Sequence, residues 1–179
     1  MKNWWLILVL LLGCQPPPPE THYVNRALGY RVQRVGWKLI PTRGQRADQA
    51  SLIRLQRVFG PASGGEAKVV MKDGNLTVES GTLVDLKIGL TGETTPSELE
   101  KWILERADGG DYDVRRSTIG GTQAFRIFKR SDPNWWAYVP LGEKVVAFEC
   151  VFSGDQEVSP AAQEAALALL DSFEPHSEK

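Results

Sequence analysis

Apolar and polar residues alternate over much of the chain with the two-residue period of a β-strand that is buried on one face. The clearest example places Val146, Phe148, Cys150 and Phe152 on the same face of one segment. The segment 52–59 fits either a strand or a helix, and we take it as a strand. Further strands are predicted over 30–35, 68–71, 76–79, 83–90, 112–119, 123–130 and 135–139.

Two segments instead carry apolar residues at helical spacing. In the first, over 94–107, Thr95, Pro96 and Glu98 occupy the N-cap, first-turn and capping-box positions. The second begins at Ser159-Pro160, and its predicted buried stripe comprises Ala162, Ala165, Ala166, Leu169, Leu170 and Phe173. Helices on the faces of an antiparallel sheet would cover both stripes, so the sequence predicts an α+β fold.

The beginning of the chain has the features of a bacterial lipoprotein signal. Lys2 precedes an unbroken apolar run from Trp4 to Leu12, which as a helix is about 13 Å long. That length is too short for a hydrocarbon core of about 30 Å, but it suits a signal peptide. The residues 11–14 resemble a lipobox, which predicts acylation of Cys14. An ordinary signal cut elsewhere, with Cys14 incidental, is the alternative.

Four regions follow from these signals: a signal peptide at 1–13, a Pro-rich tether at 14–28, a single domain at 29–174 and a frayed tail at 175–179. Four consecutive prolines, Pro16 to Pro19, predict a stiff spacer of roughly 12 Å. We therefore expect a lipid-anchored protein of the bacterial cell envelope. By resemblance to enteric lipoproteins, Gln15 after the cysteine favours the outer membrane, facing the periplasm, if the source is Gram-negative.

Charge argues against a nucleic-acid partner, because 21 basic and 22 acidic residues nearly balance. The charges are nevertheless unevenly spread. Residues 21–58 hold eight Lys or Arg against Asp48 alone, whereas 140–179 hold eight Asp or Glu against Lys144 and Lys179. Either these are solvated faces that pair on folding, or they form a dipolar surface that orients the domain on a partner or on anionic headgroups.

Three short motifs and the order of elements carry a family resemblance. The motifs are Gly29-Tyr30 with Gly36-Trp37, Ile119-Gly120-Gly121 with Ala124, and Leu170-Asp171-Ser172-Phe173. Together they resemble PsbP-like domains, a superfamily that includes a photosystem II subunit, small bacterial lipoproteins and a Ran-binding import factor. The resemblance implies an α/β/α sandwich, with helices on both faces of an antiparallel sheet. It also implies a role in binding proteins and supplies no catalytic residue.

The residues offer little support for an enzyme. His22 and His176 lie in the predicted tether and tail, so a histidine-based catalytic or zinc site has no member in the core. Cys150 sits on an apolar strand face without a neighbouring base, which favours a structural thiol. We expect no catalytic residue, no cofactor and no metal site.

Trp135 and Trp136 are adjacent and must point to opposite faces of their strand. With Leu141-Gly142 as the hairpin turn, Trp135 lies opposite Phe148 and joins the main core. Trp136 and Tyr138 then share the other face, beside Arg126 or Arg130. The cluster of Arg126, Arg130, Trp136 and Tyr138 is a candidate surface for a protein partner. Alternatively, a helix covers this face and Trp136 belongs to a core.

These observations favour a non-enzymatic, lipid-anchored protein that binds or helps assemble another envelope protein. A carrier of a small apolar ligand is the alternative, with a pocket between sheet and helix near Trp102 and Trp136. An open apolar cavity of several hundred Å³ would favour the carrier.

Overall fold

The computed structural model describes residues 21–40, 52–73 and 75–176. The signal peptide with Cys14 and the spacer Pro16 to Pro19 lie outside these ranges, as do residues 177–179 of the predicted frayed tail. In the described residues, neither helix is long and apolar enough to span a bilayer.

A seven-stranded antiparallel sheet forms the centre of the fold. In spatial order it contains β3 (Lys38–Ile40), β4 (Ile53–Phe59), β7 (Thr82–Thr91), β11 (Lys144–Gly154), β10 (Trp135–Leu141), β9 (Thr122–Lys129) and β8 (Tyr112–Ile119). The segment 52–59, whose sequence fits either a strand or a helix, therefore contains strand β4. All of these strands were predicted except β3, and each observed strand lies within a few residues of its prediction.

The remaining elements surround this sheet. A three-stranded sheet has the order β1 (His22–Asn25), β2 (Tyr30–Gln33) and β12 (Glu174–Pro175), and a hairpin pairs β5 (Lys68–Lys72) with β6 (Asn75–Ser80). The helices are α1 (Leu99–Ala107) and α2 (Pro160–Asp171).

The main core lies between one face of the seven-stranded sheet, α2 and the three-stranded sheet. Phe173, just after α2, packs its ring 5.2 Å from Tyr30 on β2 and 5.6 Å from Phe148 on β11. Because neighbouring residues of a strand face opposite sides, the alternating residues of each central strand enter this core together. The predicted stripe of α2 is confirmed: Ala162, Ala166, Leu169, Leu170 and Phe173 are buried, and Ala165 packs partly buried against them.

The predicted α/β/α sandwich is wrong, because the fold is mainly β. Strands hold 52% of the described residues and helices 15%. The two helices are too short to cover the sheet, and strands β1, β2 and β12 take part of the space beside α2. On the other face, charged side chains of neighbouring strands form ion pairs: Arg54 on β4 with Asp85 on β7, and Lys87 on β7 with Glu149 on β11. That part of the sheet has no apolar stripe for a helix to bury.

The predicted tether and tail extended too far into the folded domain. Residues 22–25, assigned to the tether, form β1, and Asn25 organises its turn by accepting a hydrogen bond from the Leu28 N–H at 3.0 Å. At the other end, Pro175 pairs with Tyr30, and the His176 N–H donates to the Gly29 carbonyl at 2.7 Å. Backbone pairing with β2 therefore holds residues that had been expected to be loose.

Two local details also differ from prediction. Helix α1 starts at Leu99, later than expected, because the Thr95 hydroxyl bonds the Glu98 carboxylate and not a free N–H of the first turn.

In the β10–β11 hairpin the two-residue turn follows Leu141, so Trp135 lies opposite Cys150, not Phe148. The shift is two residues, which leaves every side chain on its predicted face.

Candidate functional site

Helix α1 packs on the face of the sheet opposite the main core. Leu99 and Ile103, one helical turn apart, are fully buried there. They form a second apolar cluster with Phe125 and Ile127 of β9 and Val145 of β11. The helix thus covers the part of the sheet built by β8 to β11, and this confirms that a helix covers the face that carries Trp136.

Four aromatic side chains surround this second cluster. The ring of Trp102 on α1 meets Tyr138 edge-to-face with centroids 5.1 Å apart. Tyr112 on β8 meets Trp136 on β10 in the same manner at 6.2 Å. These are the separations at which aromatic pairs attract each other beyond simple burial. The four rings, Trp102, Tyr112, Trp136 and Tyr138, are called the aromatic cluster below.

A cavity of about 330 Å³ opens beside the aromatic cluster, where the last turn of α1 lies over the sheet. Its lining residues are Arg106, Ala107, Tyr112, Ile127, Trp136 and Tyr138. Because α1 ends at Ala107, the sheet continues beyond the helix and its aromatic side chains remain partly uncovered. The end of the helix therefore creates the cavity.

Arg106 supplies the positive charge of the site. Its guanidinium lies 4.3 Å from the centre of the Trp102 ring and forms an ion pair with Glu93, in the loop before α1. Both charged side chains are more than half exposed. Burial raises the pKa of Tyr138 above its ordinary value; the nearby Arg106 opposes that rise, and the carboxylates of Glu93 and Glu149 add to it. The Tyr138 phenol is accordingly a neutral hydrogen-bond donor at physiological pH.

The polar side chains around the cavity can all donate hydrogen bonds, and the two tyrosine hydroxyls among them can also accept. Among the described residues, the hydroxyls of Tyr112 and Tyr138 and the indole N–H of Trp136 make no intramolecular hydrogen bond, and no carboxylate belongs to the lining. Together with the Arg106 guanidinium, they offer donors next to flat aromatic walls. Such a site suits a small ring compound that carries acceptor oxygens.

The predicted surface is only partly assembled. Trp136 and Tyr138 lie together, as expected, but Arg126 lies on the opposite face of the sheet, where it forms an ion pair with Asp171. Trp136 pairs with Ile127, so these two side chains share a face of the sheet. Arg126 is the neighbour of Ile127 on β9, and its side chain therefore points to the opposite face. Arg130 is exposed beyond the end of β9 and is no part of the cavity lining.

Sequence reasoning missed Arg106, Tyr112 and Ile127. A signal for Tyr112 and Ile127 exists, because the pairing of β8, β9 and β10 brings their alternate positions to one face. No local pattern marks Arg106, since its role depends on where α1 ends.

The remaining predictions about reactive groups concern the Cys150 thiol and metal binding. Cys150 is buried in the main core, and burial raises the pKa of its thiol well above the ordinary value, so it is unreactive there. Within the described ranges, no three acidic, histidine or cysteine side chains are grouped to hold a metal ion.

Comparisons with models of known protein families, with characterised proteins and with solved structures found no match to this chain. The relationship to PsbP-like domains therefore stays a prediction. Arguments about function depend on the geometry of the chain itself.

Proposed function

We propose that this chain is a lipid-anchored, non-enzymatic binding protein of the bacterial cell envelope, and that the cavity beside the aromatic cluster binds a small ligand. The cavity is the observation that carries the proposal. Its volume of about 330 Å³ lies at the lower end of the range for small-molecule sites, about 300–1,000 Å³. A compound of one or two rings suits this size.

The walls support the same conclusion. Trp136 and Tyr138 are only half-buried although large apolar rings gain most from full burial, so a ligand that covers them would remove further apolar surface from water. Tyr112 and Trp136 hold each other by an edge-to-face contact, and Trp102 holds Tyr138. These contacts keep the walls in place before a ligand enters, which lowers the entropic cost of binding.

The test is a binding measurement with indole as a neutral ring probe. Titration followed by ¹H–¹⁵N NMR is expected to shift the indole N–H signals of Trp102 and Trp136, assigned from single Trp→Phe variants. Ala107→Trp fills the cavity from the end of α1 and is expected to abolish these shifts. Ala161→Trp, an exposed alanine on α2, is the matched control and leaves them. Unchanged spectra at millimolar indole would argue against a ligand site here.

A second candidate function, binding of a protein partner, is favoured by the β5–β6 hairpin. Val69, Val70 and Met71 are exposed on β5, and Met71 is 68% accessible. Among the described residues β5 pairs only with β6, and neighbouring exposed apolar residues on such an edge strand are typical of interaction sites. A photo-crosslinker placed at Met71 is expected to capture one defined envelope protein in cells. The same group at Leu104, an exposed apolar residue on α1, is the control.

The anchor is tested separately. Cys14→Ser removes the thiol that would be acylated, so the protein is expected in the soluble fraction or as an uncut precursor. Cell fractionation with immunoblotting measures this. A mature-sized variant that still sediments with membranes would contradict lipidation of Cys14.

A further inference from the structure

We propose that the cavity selects a small aromatic carboxylate, and that its carboxylate replaces Glu93 as the partner of Arg106. This inference rests on the proposed ligand site and names the class of ligand. It combines three features of the described residues: aromatic walls, a lining that offers donors and no carboxylate, and an arginine whose present partner is a weakly held carboxylate outside the lining.

The lining determines the sign of the ligand's charge. A cation would find no carboxylate in the lining and would lie close to the Arg106 guanidinium, although aromatic rings alone would attract it. A neutral ring would bury against the walls but leave the guanidinium without a new partner. A carboxylate accepts hydrogen bonds from the guanidinium and from the Tyr138 or Tyr112 hydroxyl. Charge-assisted bonds of this kind are stronger than neutral ones.

The Arg106–Glu93 pair is suited to exchange. The two side chains are 57% and 60% exposed, and exposed ion pairs contribute little to stability because water and salt screen them. Arg106 is also held by its position over the Trp102 ring, independently of Glu93. A ligand carboxylate therefore meets a guanidinium that is already oriented at the mouth of the cavity and whose partner is easily displaced. Glu93 acts as an internal competitor for the ligand's anionic group.

Three probes that share an indole ring test the class of ligand: indoleacetate, the neutral alcohol tryptophol and the cationic amine tryptamine. Binding is measured by isothermal titration and by the Trp136 indole N–H signal. We expect indoleacetate to bind about tenfold more tightly than tryptophol, and tryptamine to bind most weakly, because the carboxylate makes a charge-assisted hydrogen bond where the alcohol makes a neutral one. Added salt is expected to reduce the preference for the acid.

Two variants test the exchange with Glu93. Arg106→Gln is expected to abolish the preference for indoleacetate while tryptophol still binds. Glu93→Gln removes the competitor and is expected to tighten indoleacetate binding about two- to fivefold, with tryptophol unaffected. Glu105→Gln is the matched control: it removes the same charge from the exposed side of α1, where Glu105 pairs with Lys101. All three positions are exposed, and thermal melts confirm that the variants fold.

The outcomes separate the two proposals. Equal binding of tryptophol and indoleacetate, or tighter binding of tryptamine, overturns the carboxylate inference and leaves the ligand site standing. An unchanged indoleacetate affinity in Glu93→Gln overturns the exchange with Glu93. If none of the three probes shifts the Trp136 signal, the ligand site itself fails and this inference fails with it.

Discussion

Replacing Trp135 by alanine or phenylalanine separates two opposing contributions of one side chain to stability. The ring is 3% exposed in the main core, where it pairs across the sheet with Phe128 and Cys150. Its indole N–H is buried and has no hydrogen-bond partner among the described residues. The apolar part of Trp135 therefore stabilises the fold, whereas its polar group is a cost.

The magnitudes follow from burial. A buried tryptophan removes about 150–250 Å² from water, worth roughly 4–6 kcal/mol at about 25 cal/mol per Å². The unpaired N–H costs about 1–3 kcal/mol. Trp135→Ala should therefore lower the free energy of unfolding by about 3 kcal/mol, which is within the range for aromatic truncations. Trp135→Phe keeps most of the area and removes the N–H, so it should change stability by less than about 1 kcal/mol.

Urea unfolding and thermal melts of the domain without its signal and spacer measure both variants. For a domain of this size, about 3 kcal/mol corresponds to a fall of roughly 10 °C in Tm. If Trp135→Phe costs as much as Trp135→Ala, the N–H is paired in solution and the reasoning about the unpaired donor is wrong. If Trp135→Ala leaves Tm unchanged, the ring is not in the core.

Three further predictions use the same measurements. Trp136→Ala should cost roughly half as much as Trp135→Ala, because its ring is only half-buried against α1. Gly120→Ala should cost about 2 kcal/mol or more in urea unfolding, since at φ +58° an added Cβ would lie 2.8 Å from the Phe173 carbonyl oxygen; the neighbouring Gly121→Ala, which meets no atom within 4 Å, should cost less. Burial raises the pKa of Cys150 above the ordinary 9.0, so its neutral thiol stabilises the fold fully below that pH and the contribution is lost as pH rises. The urea midpoint should accordingly fall between about pH 9 and pH 11, and fall less in Cys150→Ala.

Most strands and the packing of α2 were predictable because period-2 alternation and the 3,4 spacing of apolar residues are local signals. The position of Trp136 and Tyr138 opposite Trp135 followed from alternation alone. Which elements pack on the faces of the seven-stranded sheet was not predictable in the same way, because this packing depends on contacts between segments that are distant in sequence. The pairing of β12 with β2 joins residues about 140 positions apart, and no local pattern predicts it.

The misplacement of Arg126 has a specific cause. The connection between β9 and β10 runs from Lys129 to Trp135. A loop of that length, unlike a two-residue turn, does not determine which residues of the two strands pair with each other. One residue more or less in the pairing moves every β9 side chain to the other face. The charges of β4 and β7 were a usable sign that no helix would cover that face, because their outward positions hold Arg54, Asp85 and Lys87.

The three-stranded sheet brings the two ends of the described residues close enough to each other for circular permutation of the domain. Thr21 accepts a hydrogen bond from Arg34 at one end of β2, and His176 donates to Gly29 at the other. These two points are separated by two inter-strand spacings across the sheet and by the length of β2 along it, which together correspond to about 20 Å. A Gly/Ser linker of roughly eight residues spans that gap. A circular permutant that opens new ends in the Gly142–Glu143 turn should therefore keep the sheets, and it would carry the aromatic cluster free of any N-terminal membrane attachment.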